Sequence, residues 1–169
     1  MSHSPDKRKE NKESALSLMA TKTEDRMILT THFWPTDEDF KSTFETSWAE
    51  LQAASLIEEA YKKEPIAYRL TGTGWIAGLR LTPLWESAEF RKKAGQLSQT
   101  LKASVKGRKE DELALLSEIT KQSGLREGFV FNAIDSHLLR ELFDISDAEW
   151  DPASKSHVII PKTFGLPLP

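Results

Sequence analysis

The residues best suited to chemistry are few, and their spacing argues against most of what they could do. The chain has no cysteine, which removes disulfides, thiolate metal sites and cysteine nucleophiles. Its four histidines, His3, His32, His137 and His157, include no pair one helical turn apart of the kind that grips a metal. Ser136 stands beside His137, but an activated serine needs a histidine held in place by an acid, and no such motif is visible. Asp135 and His137 are two apart, on different faces of a helix, whereas His137 and Glu141 share a face and read as a surface ion pair. Gly72-Thr73-Gly74 lacks the lysine and the length of a phosphate-binding loop. The sequence therefore predicts a non-enzymatic protein with no cofactor and no metal.

The remaining chemistry is ionic. The net charge of −3 hides a division: residues 80–109 carry eight basic and two acidic side chains, while both flanking stretches are acidic. Arg91, Lys92, Lys93, Lys102, Lys106, Arg108 and Lys109 make the best electrostatic footprint for a polyanion, because lysine and arginine supply most non-specific affinity for phosphate backbones. Arg126 and Asn132 are added as candidates for reading guanine and adenine edges. DNA and a protein partner are both compatible with this set.

The elements that would position these residues are mainly helical. Residues 1–12 are almost wholly polar and read as a mobile terminus, with a helix from about Glu13 that uses Ala15, Leu16 and Met19. Phe40, Phe44, Trp48 and Leu51 form one stripe of an amphipathic helix over about 37–54, whose outward positions are acidic. Ile66 to Leu70 reads as a short strand, Thr71 to Gly74 as a turn, and Trp75 to Leu81 as a helix in preference to a returning strand. Thr82-Pro83 then announces a long helix to about Lys106, where Gly107 ends it. Along it Phe90, Ala94, Leu97, Leu101 and Val105 fall at heptad-like spacing, a candidate seam for a homodimer. Two more helices are expected, Asp111 to about Gln122 and about Arg126 to Phe143. From Trp150 the chain reads as an extended arm.

One stretch points to a family. Trp48-Ala-Glu-Leu51-Gln-Ala-Ala-Ser-Leu56-Ile57, followed by Tyr68-Arg69-Leu70-Thr71 and Gly74, resembles bacterial winged-helix proteins, with Ser55 where those proteins often place glycine. A second stretch, Glu118-Ile119-Thr120-Lys121-Gln122-Ser123-Gly124-Leu125 with Val130 and Ile134, resembles a helix-turn-helix. The resemblance implies a winged-helix-like unit over 14–81 with a short β-wing, after a mobile terminus over 1–13. A basic connecting helix over 82–109 and a small helical C-terminal unit over 110–169 would follow. It also implies a DNA-binding or transcription-associated regulator, or an interaction module that keeps the scaffold without DNA contact. No run is apolar enough to cross a bilayer, so a cytoplasmic protein is expected.

Overall fold

A computed structural model describes residues 5–25, 32–34, 47–60, 63–64, 66–106 and 112–169. The protein is mainly helical, with two small antiparallel sheets among the described residues, and it divides into two compact units, Met1–Trp85 and Glu86–Pro169.

The first unit opens with α1, Pro5–Asp25, so the helix begins well before Glu13 and residues 5–12 are helical. Pro5 suits a first helical turn, and the Asp-Lys-Arg-Lys-Glu run that reads as tail is rich in good helix formers. Lys7 and Glu10 approach to 3.4 Å and Lys9 and Glu13 to 3.9 Å, each across one turn. Further along, Ala15, Leu16, Met19 and Ala20 are buried. They face α3, Gly72–Arg80, the helix expected after Trp75. The supposed turn at Thr71 to Gly74 is its start: the Thr71 hydroxyl caps the helix, accepting from the Gly74 amide at 3.0 Å and donating to the Ser55 carbonyl at 2.6 Å. Two glycines let α3 seat. A Cβ at Gly74 would stand 1.8 Å from the Leu56 carbonyl oxygen, and one at Gly78 would stand 2.5 Å from that of Leu16.

Of the helix expected over 37–54, residues 35–46 lie outside the described residues, and α2 covers Trp48–Ala53. Ser55 then takes the left-handed backbone (φ +59) at which a glycine would be unstrained. The chain turns there into β1, Ile57–Glu59, which pairs antiparallel with β2, Tyr68–Leu70, Ile57 opposite Leu70. Phe33 bridges to Tyr68 on the other side, with both amide-to-carbonyl bonds at 2.7 Å. The last strand of the three is therefore central. Phe33, Leu51, Ile57, Ala67, Trp75 and Leu79 fill the core beneath it, each at most 1% exposed.

The second unit departs further from the sequence reading. Thr82 does not cap the long helix; its hydroxyl donates back to the Leu79 carbonyl at 2.7 Å, and a 3₁₀ turn, Pro83–Glu86, follows. The cap is Ser87, which accepts from the Phe90 amide at 3.1 Å, and α4 runs Ala88–Val105. This helix belongs to the second unit's core and is not a connector. The stretch expected as one helix from Asp111 is β3, Glu112–Leu115, followed directly by α5, Leu116–Ser123. Gly124 ends α5 in the left-handed conformation (φ +70), and α6, Glu127–Asp135, follows.

The helix expected to continue to Phe143 breaks instead at His137 (φ +55), and α7, Leu138–Phe143, is a separate element. The extended arm folds back as a hairpin of β4, Glu149–Asp151, and β5, Ser154–Ile160, so the unit is not purely helical. An Asx-type bond from the Ala153 amide to Asp151 Oδ1, 3.2 Å, tightens its turn. The strand order is β3-β5-β4, again with the last strand central. Beyond β5 the chain is held by bonds from the Ser146 amide to the Leu166 carbonyl (2.9 Å) and from the Leu168 amide to the Asp144 carbonyl (3.1 Å).

Candidate interaction surfaces

Of the basic candidates, the structure brings four together. At 3.6 residues per turn, Arg91, Lys92, Lys102 and Lys106 project from α4 and its C-terminal cap within an arc of about 100° and over about 22 Å of length. This arc lies opposite the buried Phe90, Leu97 and Leu101. Gly95 and Gln99 fall between the cations, so no acidic side chain interrupts the arc. Arg91 has an exposed partner, Glu86, at 3.5 Å. The stem of Lys102 lies over Gly165, where a Cβ would stand 2.7 Å from Lys102 Cε. Lys93 does not join the arc: it turns toward the second unit's core, its Nζ 5.9 Å from the centre of the Phe129 ring. Arg108 and Lys109 lie outside the described residues.

The base-reading candidates sit on a helix with little surface to offer. Within α6, Gly128, Phe129, Val130, Ala133 and Ile134 are buried, and the two exposed positions are Glu127 and Asp135. Asn132 spends its amide within the helix, Nδ2 donating to the Gly128 carbonyl at 2.9 Å. Phe131 packs against Trp150 of β4 with ring centres 5.0 Å apart. Arg126 is exposed just before the first turn.

The candidate dimer seam is the unit's own core. Phe90, Ala94, Leu97 and Leu101 are at most 2% exposed, and Val105 is half-buried. The heptad-like spacing is filled by α5, α7 and β5, and Phe90 meets Phe129 edge-on at 5.8 Å. Any homodimer must use another face.

In the first unit the hairpin is acidic. Glu58, Glu59 and Glu64 are exposed, and Glu58 accepts from Arg69 Nε at 2.7 Å. Burial and then the charges of Glu59 and Glu64 raise the Tyr68 phenol above its ordinary range. Burial, with the Arg69 guanidinium second, lowers the His32 imidazole.

The sequence reading missed Asp147. It is 9% exposed, its Oδ1 accepts from the Ala148 amide at 2.7 Å, and among the described residues Oδ2 has no hydrogen-bond partner. Burial pushes its carboxyl up to about 6, against opposing pulls from the Ala148 amide, the His137 imidazole and the amides of Arg140 and Leu139. The first turn of α7 thus faces a buried carboxyl whose pKa is raised. Nothing in Ser-Asp-Ala-Glu-Trp signals this, because the environment is made by chain seven to ten residues upstream.

The chain matches no family model, no curated protein and no solved structure. Among the described residues no helix is long and apolar enough to cross a membrane.

Proposed function

We propose that this chain is a non-enzymatic protein-interaction module built on winged-helix-type units, with the cationic arc of α4 as a contact surface for an acidic partner protein. The order of elements supports the scaffold: helix, strand, helix-turn-helix and hairpin over α4, β3, α5, α6, β4 and β5, with the short extra helix α7 between α6 and β4 and the last strand between the other two. The first unit repeats that strand order through Phe33, β1 and β2. The observation that carries the functional reading is α6. A recognition helix needs an exposed face of donors, and the exposed positions of α6 are Glu127 and Asp135, which would meet phosphates with like charge.

A second reading has one specific observation behind it. Arg91, Lys92, Lys102 and Lys106 could also meet a nucleic-acid backbone without reading sequence, as a DNA-associated regulator would. Fluorescence anisotropy with a short DNA duplex at low and at physiological salt separates the two. On the first reading, binding at physiological salt is no tighter than the roughly 10⁻⁴–10⁻⁶ M of non-specific contact. Residual low-salt binding disappears when the four cations become alanine and is unchanged in Arg126→Ala and Asn132→Ala. Nanomolar binding at physiological salt, or its loss in either α6 variant, overturns the proposal in favour of DNA reading.

A further inference from the structure

The two edges of the β3-β5-β4 sheet are built differently. β4 carries Glu149 and Asp151, shifts register between Trp150 and Asp151, and runs into Pro152, all features that keep another strand from pairing. β3 has one charge, Glu112 at its start, and neither a register shift nor a proline, and among the described residues nothing pairs with its outer side over Leu113, Ala114 and Leu115. Its side chains alternate: Ala114 is 2% exposed and faces the core with Val158, while Leu113 and Leu115 are 51% and 38% exposed on the opposite face. Ile159, paired with Leu113, extends that apolar patch across β5.

We propose that the outer edge of β3 takes an extended peptide segment of a partner protein, which adds a fourth, antiparallel strand with apolar side chains at alternate positions beside Leu113 and Leu115. Main-chain hydrogen bonds would supply the affinity and the two leucines the side-chain preference. The small size of the site selects this occupant over a second copy of the chain. Four residues span about 13 Å, and a β3-to-β3 seam would cover little beyond the leucine side chains. That is far below the roughly 800 Å² per partner of a stable globular interface, whereas an extended segment needs only the edge itself.

The probe is a capped heptapeptide copying β5, Ser-Lys-Ser-His-Val-Ile-Ile, since β5 is the strand that β3 already accepts on its other side. Titrated into the full chain and followed by amide chemical shifts, it should move the Leu113 and Leu115 amides saturably while those of β4 stay in place. The same peptide N-methylated at alternate residues should bind at least tenfold more weakly, as should the unmodified peptide to Leu113→Lys. The N-methylated arm uses the wild-type protein, so the test survives if the variant does not fold. Absence of saturable shifts at β3 up to about 1 mM peptide overturns the proposal. So does equal affinity of the N-methylated peptide, or concentration-dependent shifts at β3 without peptide, which would make a second copy the occupant.

Discussion

The two units arrange their strands alike over apolar cores, but they differ in how closely backbone approaches backbone. In the first, Gly74 lies against the Leu56 carbonyl and Gly78 against α1, so α3 seats by close backbone approach as well as by its buried Trp75 and Leu79. The second depends on large apolar side chains from α4, α5, α6 and β5, and its glycines at 95 and 124 meet nothing within 4 Å of a Cβ position. One strand order thus occurs both with and without close backbone approach at helix glycines. The two respond differently to the same substitution.

Glycine-to-alanine changes break that comparison most sharply. Gly74→Ala should cost the protein upwards of about 3 kcal/mol, because the new methyl overlaps backbone that a rotamer change cannot move. Chemical denaturation measures it, and a cost below about 1 kcal/mol would show that the first unit is not held by close approach.

Asp147→Asn is expected to have the next largest effect, in the opposite direction. A folded-state carboxyl raised from 3.8 to about 6 contributes stability that is complete below the lower value and lost as pH rises through the upper one. Wild-type stability should therefore fall by up to about 3 kcal/mol between pH 4 and pH 7.5 on this account, and the asparagine variant should remove that part of the slope. Equal slopes in the two proteins would mean that Asp147 is solvated. Gly95→Ala should stabilise the protein by about 0.5–1 kcal/mol, because the site is open and lies within a helix. Smallest of all, Arg69→Ala should cost less than about 1 kcal/mol, since its pair with Glu58 is half-exposed. A larger loss would mean that the acidic hairpin needs that cation to fold.

What the sequence made legible was local. The strand ending at Leu70, the helix through Trp75 and Leu79, and the turn at Ser123-Gly124 follow from propensities and capping within a few residues. The errors lie where distant chain decides. Leu113 and Leu116 fit a helical stripe, yet pairing with β5, more than forty residues on, draws Leu113 into a strand. Val130, Ile134 and Leu138 keep a spacing of four straight through the break at His137, so periodicity could not show it. The spacing of Phe90, Ala94, Leu97 and Leu101 marks an apolar seam, but spacing does not say which chain fills it. Four members of the basic cluster were legible as a helix face, while the inward turn of Lys93 depended on Phe129.

The approach of α3 to α1 carries a further consequence, for how this sequence can drift. The space beside Gly78 is occupied by the Leu16 carbonyl and the Ala20 methyl, the latter 2.8 Å from where a Cβ would be. Divergent versions of the chain should keep glycine at 78 and a small residue at 20 for as long as the two helices stay this close. Glycine at 20 would remove the methyl but leave the Leu16 carbonyl 2.5 Å away, so a side chain gained at 78 would be accompanied by a change that lets the helices separate.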